Sequence, residues 1–153
     1  MISVGDTVDD FTLQDQHGEE IRWSSLRGRP VVVFFYPKAD TPGCTTEAQG
    51  FRDARAAFDA AGVQLVGVSA DSVKRQSNFD KKHELGLTLL SDPERAIIEP
   101  WGVWQDKTMY GRTSKGIVRT TVLFDADGRA VEVWSPVKVK GHVDAVLARV
   151  RAS

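Results

Sequence analysis

The sequence predicts an α/β protein built on parallel strands. Two short, largely apolar runs carry this reading, Val31-Val32-Val33-Phe34-Phe35 and Val63-Gln64-Leu65-Val66-Gly67-Val68-Ser69. Their β-branched and aromatic content is that of strands buried on both faces. Each run is followed by a segment with helical periodicity, and strand–helix–strand–helix order favours parallel pairing through helical crossovers.

Taken from the start, Phe11-Thr12-Leu13 and Glu20-Ile21-Arg22-Trp23 bracket Asp15-Gln16-His17-Gly18, a hairpin with a glycine-containing loop. Ser24 to Pro30 reads as a loop or single helical turn leading into the central strand. Tyr36-Pro37 ends that strand, because proline donates nothing to a sheet ladder. Thr41 is placed as a helix N-cap with Pro42 at the first helical position. Cys44, Ala48, Phe51, Ala54 and Phe58 form one apolar stripe, and Ala61-Gly62 is a C-terminal stop.

Beyond the second strand, Ala70-Asp71-Ser72 caps a polar helix running to Lys82 or His83. Leu87 to Leu90 is a short extended piece, and Ser91-Asp92-Pro93-Glu94 is expected to cap a short helix over residues 95–98. Residues 101–116 read as a long loop with little regular pattern. Ile117 to Phe124 reads as one strand, Asp125 to Gly128 as a turn, and Arg129 to Trp134 as another strand. A final helix from about His142 to Arg151 carries Val143, Val146, Leu147 and Val150 on one face.

The chain of 153 residues suits a single domain spanning 1–153 with a substantial core, and 41% hydrophobic with 27% charged residues is ordinary globular composition. A net charge of −1 gives no argument for nucleic acid or membrane. The first residues show neither a basic nor an apolar leader region, and no apolar run approaches the ~20 residues that span a bilayer. A reducing cytoplasm is the expected location. With Cys44 the single cysteine, an internal disulfide and a cysteine-based zinc site are excluded.

Cys44 falls in the first turn of the predicted helix. A helix start carries unpaired N–H groups and partial positive charge, which favour a thiolate over a thiol. The stripe below it places the sulfur on the floor of a depression. A lone cysteine is otherwise a small buried hydrophobe, but the cap, the proline and the buried strand before it favour a reactive thiol.

The run Pro37-Lys38-Ala39-Asp40-Thr41-Pro42-Gly43-Cys44-Thr45-Thr46-Glu47 resembles the active-site signature of the peroxiredoxins, Pro-x-x-x-Thr-x-x-Cys. With Phe35-Tyr36 before it and Gly50-Phe51-Arg52-Asp53 after it, it is similar to the peroxiredoxin Q branch, also called bacterioferritin comigratory protein. The likeness continues through Gly67 to Ser72, Leu90 to Pro93, Gly111-Arg112 and Gly116 to Thr121, and so covers essentially the whole chain. It implies a thioredoxin-like fold with an N-terminal β-hairpin extension and a thiol-dependent peroxidase that needs no cofactor.

The resemblance also implies a site. Gly43 and Cys44 N–H groups would stabilise the leaving oxygen, the Thr41 hydroxyl would hold the peroxide, and Pro37 would shield the thiolate. The family's strand arginine falls at Arg119, expected on one strand face with Ile117, Thr121 and Leu123; its planar fork suits two oxygens. Blander roles are a rim arginine for Arg119, a cap alone for Thr41 and a solvated first-turn acid for Glu47, which is expected to support rather than catalyse. Trp101 and Trp104 are expected to be core or loop anchors. His17, His83 and His142 sit in ordinary settings, and Lys81-Lys82-His83-Glu84 is a wet helix face.

Many relatives in this branch carry a second cysteine five residues after the first, where this chain has Gln49. A one-cysteine peroxidase is therefore expected, acting on hydrogen peroxide or organic hydroperoxides. Its sulfenic acid would be reduced by thioredoxin, glutaredoxin or a small thiol. The resemblance implies a monomer, with a dimer as the alternative. Rival readings are a disulfide oxidoreductase, which wants Cys-x-x-Cys where this chain has Cys44-Thr45-Thr46-Glu47, a histidine-assisted cysteine hydrolase, and a peroxide sensor or holdase.

Overall fold

The computed structural model describes residues 1–152. Nine strands and three α-helices follow one another as β1 (Thr12–Gln14), β2 (Glu20–Arg22), β3 (Val31–Phe35), α1 (Pro42–Ala60), β4 (Gln64–Ser69), α2 (Val73–His83), β5 (Thr88–Ser91), β6 (Trp104–Met109), β7 (Arg112–Ile117), β8 (Thr120–Phe124), β9 (Ala130–Trp134) and α3 (His142–Arg151). A 3₁₀ turn, Trp23–Leu26, leads from β2 toward β3. Seven strands form one sheet in the order β2-β1-β5-β4-β3-β8-β9, and β6 and β7 pair separately.

The apolar runs became the sheet's centre. Strands β3, β4 and β5 are parallel, and every residue of β3 is buried. Alternate residues of β3 serve two cores. Val31, Val33 and Phe35 face Trp23, Trp101 and Phe124, whereas Val32, Phe34 and Tyr36 face Phe51 and Phe58 of α1, Phe79 of α2 and Val146 of α3. Removing such aromatic side chains from water contributes about 1.5–3 kcal/mol each. Gly67 of β4 is the close-packing point between layers, since a Cβ there would lie 2.8 Å from the Phe34 ring and 3.0 Å from Leu89.

Three expectations need correction. Residues 95–98 form irregular turns rather than a helix. Arg95 adopts a left-handed φ of 59°, and the Asp92 carboxylate instead accepts the amides of Ala96, Ile97 and Ile98 at 2.7, 3.0 and 3.0 Å. Such side-chain-to-backbone bonds compete with helix formation. Residues 101–116 are not a structureless loop, because most of them form the β6–β7 hairpin. Its two-residue turn, Tyr110-Gly111, has φ of 54° and 76°, the backbone sense that matches strand twist. The ribbon stands apart from the main sheet, and β7 is exposed on both faces for most of its length. Its sequence therefore had no apolar alternation to display.

The third correction concerns residues 117–124, which are two strands in different sheets. The chain crosses between them at Val118-Arg119, where the Val118 amide donates to the Val103 carbonyl at 2.8 Å. Thr120 Oγ1 donates to the Val118 carbonyl at 2.8 Å. Arg119 is thus a crossover residue and not a strand residue. Register decides where it lands: β8 runs antiparallel to β3 with Phe35 opposite Thr120. Arg119 therefore emerges at the end of the sheet where β3 gives way to the Cys44 helix.

Candidate active site

The loop between β3 and α1 is fixed from beneath before it reaches the sulfur. The Tyr36 amide donates to the Val68 carbonyl at 3.1 Å, and the Ala39 amide donates to Asp71 Oδ2 at 2.7 Å. Asp71 also accepts from Ser69 Oγ at 2.7 Å. Ser69 Oγ accepts from Gln76 Nε2, whose Oε1 accepts from the buried Tyr36 hydroxyl. Asp40, at a left-handed φ of 64°, accepts from Lys82 Nζ at 2.9 Å and meets His83 Nε2 at 2.7 Å. The bonds from His83 and Lys82 hold its carboxyl below the usual carboxylate range.

Thr41 occupies the N-cap position of α1, with Pro42 in the first turn, as expected, but its side chain caps nothing. Its hydroxyl instead donates to the Lys38 carbonyl at 2.8 Å, which fixes the hydroxyl's orientation and leaves oxygen lone pairs for another donor. Among the described residues, no backbone carbonyl takes the Gly43 or Cys44 amide. The helix therefore begins with two free donors beside the sulfur. Pro37 is half-buried in the same loop, and Gln49 half-buried further along α1.

Cys44 is buried in the second core, with 2% of its surface exposed. Arg119 reaches it from the crossover: Nη2 donates to Sγ at 3.4 Å, and Nη1 donates to Glu47 Oε1 at 3.0 Å. The guanidinium lies close over Gly43, where a Cβ would sit 3.1 Å from Nη2. A side chain at position 43 would have to push the cation off the helix start. Burial opposes charge on Arg119, but the neighbouring Cys44 and Glu47 outweigh it and hold the guanidinium more firmly protonated than usual. The rim-arginine role is overturned by this geometry.

Glu47 is fully buried, contrary to a solvated acid. One helical turn from Cys44, it shares the inward face of α1. Oε1 is taken by Arg119, while Oε2 is buried with no partner among the described residues. Burial pushes the carboxyl up to about 7, with the charge and hydrogen bond of Arg119 opposing. Glu47 also lines, with Pro42, Gly43, Gly50, Val139 and Val143, a cleft of about 810 Å³ between α1 and the start of α3.

The histidines are engaged elsewhere. His83 meets Asp40, and His142 Nε2 lies 2.8 Å from Thr121 Oγ1 with its ring against Phe51 and Trp134. Burial and the Arg119 charge push His142 down to about 4, so it is neutral at physiological pH. His17 is exposed in the β1–β2 turn. Among the described residues, no histidine hydrogen-bonds Sγ, and no group of side chains is arranged to hold a metal ion. Trp101 is a core anchor, packing against Phe11, Trp23, Phe35 and Phe124.

Cys44, Thr41, Gly43, Glu47 and Arg119 thus meet at one end of the sheet, with Pro37 in the loop between. Sequence reasoning missed the anchors beneath them, Asp40, Asp71 and Gln76. Asp71 had a signal, since it ends the second apolar run. Gln76 had none, because its role needs β4, β5 and α2 assembled around Tyr36.

A central parallel sheet, a single cysteine at the start of α1 and an arginine held against it define a thioredoxin-like peroxiredoxin. The AhpC/TSA family pattern matches residues 4–133, and the chain belongs to that family. It is 47% identical over 148 residues to the putative peroxiredoxin bcp of Coxiella burnetii, covering 97% of this chain and 98% of that protein. Similarity to peroxiredoxin Bcp of Escherichia coli K12 is 42% over 146 residues, covering 95% and 94%. Among solved structures, Xanthomonas campestris bacterioferritin comigratory protein matches with TM-score 0.89 at 40% identity, over 93% of this chain and 90% of that one. A cysteine-to-serine mutant of Xylella fastidiosa PrxQ matches with TM-score 0.95 at 33% identity, over 99% and 97%. The protein is a thiol-dependent peroxidase of the Bcp/PrxQ kind, with an antioxidant role. No described helix is long and apolar enough to cross a membrane.

Proposed function

We propose that the chain is a one-cysteine peroxidase, reducing hydrogen peroxide and organic hydroperoxides through a sulfenic acid on Cys44. The observation that carries the proposal is the single guanidinium of Arg119 bridging Cys44 Sγ and the Glu47 carboxylate above Gly43. That cation lies against the attacking sulfur and remains in place for the developing charge on the peroxide. The Cys44 thiolate attacks one peroxide oxygen, forming an S–O bond as the O–O bond breaks. The leaving oxygen departs with the electron pair, is stabilised by Arg119 and the Gly43 and Cys44 amides, and takes a proton to become water or an alcohol. Thr41 holds the peroxide through its free lone pairs, and Pro37 closes the loop over the sulfur.

The sulfenic acid then needs a thiol from another molecule. Attack by that thiol expels water and forms a mixed disulfide, and a second thiol releases reduced Cys44. Thioredoxin, glutaredoxin and small thiols all fit this chemistry. Xanthomonas campestris peroxiredoxin Q has been solved as two different cysteine-to-serine mutants, whereas this chain has one cysteine and Gln49 in α1. Alkyl peroxide reduction is the activity attributed to the Xanthomonas protein, which supports organic hydroperoxides as substrates. We place the protein in the cytoplasm as a monomer of one domain.

The test is peroxide consumption supported in turn by thioredoxin, glutaredoxin and dithiothreitol, with mass spectrometry of Cys44 after equimolar peroxide and a sulfenate-trapping reagent. Many turnovers with excess thiol, a trapped adduct on Cys44 and a dead Cys44→Ser variant are expected. Consumption of about one equivalent would make the protein a sensor, and an unmodified Cys44 would end the proposal.

A further inference from the structure

Thr41 holds the N-cap position of α1, where a threonine hydroxyl ordinarily accepts an amide of the first turn. Here it donates instead to the Lys38 carbonyl at 2.8 Å and caps nothing. The reason lies on the other side of the same peptide unit. The Lys38 carbonyl and the Ala39 N–H are the two ends of one planar, trans group and point in opposite directions. Ala39 is buried, so its N–H needs a partner, and it donates to Asp71 Oδ2 at 2.7 Å. A single amide plane thus joins a carboxylate between β4 and α2 to the hydroxyl that starts the Cys44 helix.

The surroundings of Asp71 hold that plane in place. Its side chain is 7% exposed. Oδ2 also accepts from Ser69 Oγ at 2.7 Å, and Oδ1 accepts from Arg75 Nε at 2.9 Å. Ser69 Oγ in turn accepts from Gln76 Nε2 at 3.0 Å, and the same nitrogen donates to the Leu90 carbonyl at 2.9 Å. Strands β4 and β5 and helix α2 therefore fix the carboxylate before the loop meets it. A charge-assisted bond to the Ala39 N–H polarises the peptide and makes the Lys38 carbonyl a stronger acceptor. The Thr41 proton is drawn to that carbonyl, and the lone pairs of the oxygen are left for another donor.

We propose that Asp71 is a positioning residue for peroxide reduction: acting through the Lys38–Ala39 peptide, it fixes the Thr41 hydroxyl as an acceptor for the peroxide O–H. The inference rests on the peroxidase reading and on the place given there to Thr41, and deepens it by naming the group that sets the hydroxyl's direction. Without the carboxylate the peptide loses its polarisation. The hydroxyl is then free to turn and cap the first turn, spending on an amide the lone pair that the peroxide needs.

The experiment is a double-mutant cycle read by two reagents. The second-order rate of Cys44 oxidation by hydrogen peroxide reports on the hydroxyl. The rate of Cys44 modification by methyl methanethiosulfonate, which has no O–H or N–H to donate, reports on the sulfur alone. Asp71→Ala is expected to slow oxidation by roughly three- to thirtyfold, within the range of coupling in one hydrogen-bonded network, and to leave the thiosulfonate rate unchanged. Asp71→Asn keeps an oxygen for the Ala39 N–H but drops the charge. It should lose less than Asp71→Ala, roughly threefold, and it carries the test if Asp71→Ala does not fold. In a Thr41→Val background either substitution at Asp71 should cost nothing further. No loss of oxidation rate on replacing Asp71 overturns the proposal, as does a loss of the same size with and without the Thr41 hydroxyl. A parallel fall in the thiosulfonate rate, which marks a purely structural carboxylate, overturns it too, and so does a Thr41→Val variant that is oxidised as fast as the intact protein. Failure of hydrogen peroxide to oxidise Cys44 in the intact protein would instead refute the underlying peroxidase reading.

Discussion

Glu47→Gln isolates the energetic consequence of burying an acid under Arg119. The native carboxyl titrates at about 7 in place of 4.5, because burial outweighs the help it receives from Arg119. Below about pH 4.5 the group carries its proton in both folded and unfolded chains, so acid and amide are nearly equivalent. Between 4.5 and 7 the unfolded chain releases its proton while the folded chain keeps it, and native stability falls as pH rises. Above 7 the loss is complete. At about 1.4 kcal/mol per tenfold difference in proton affinity, the whole window amounts to roughly 3 kcal/mol. The amide never acquires charge, and its oxygen still accepts from Arg119. The variant should therefore match the native protein near pH 4.5 and exceed it at pH 8 by up to about 3 kcal/mol. For a domain of this size that is a rise of roughly 6–12 °C in melting temperature. Thermal melts of the reduced proteins across this range provide the assay, and the His142 titration is common to both and cancels. A gap that does not change with pH, or a variant less stable at pH 8, would refute the argument.

Arg119→Lys should slow Cys44 oxidation by roughly 10²-fold or more in stopped-flow assays, because a single ammonium cannot bond sulfur and Glu47 along two fixed directions. Tyr36→Phe removes the donor that satisfies buried Gln76 Oε1 and should cost about 1–3 kcal/mol in urea denaturation. Asp92→Ala frees three amides; it should cost a similar about 1–3 kcal/mol and raise hydrogen exchange at Ile97 and Ile98.

The sequence by itself determined the centre of the molecule. Val31–Phe35 and Gln64–Ser69 could satisfy their side chains only by burial on both faces, and Thr41-Pro42 could start only one kind of element. These are local constraints, set by β-branching, ring geometry and a missing N–H, and they placed Cys44 in a first helical turn without any tertiary information. The start and end of α3 were legible for the same reason, through an apolar stripe of helical period. The β6–β7 ribbon was not legible, because a strand pair exposed on both faces carries no alternation. Nor was the break at Val118-Arg119, since Val118, Thr120 and Thr121 favour extended backbone on either side of it.

Tertiary structure alone decided what surrounds the sulfur. Arg119 lies 75 residues from Cys44, and it arrives there because antiparallel register sets Thr120 opposite Phe35. Packing of α1 buries Glu47 in its second turn, and burial, opposed by the guanidinium that the same register brings to it, makes it a carboxyl that holds its proton to about 7. Charge state and reactivity depend on distance through a low-dielectric medium, and distance between remote residues is fixed by sheet pairing rather than by chain order.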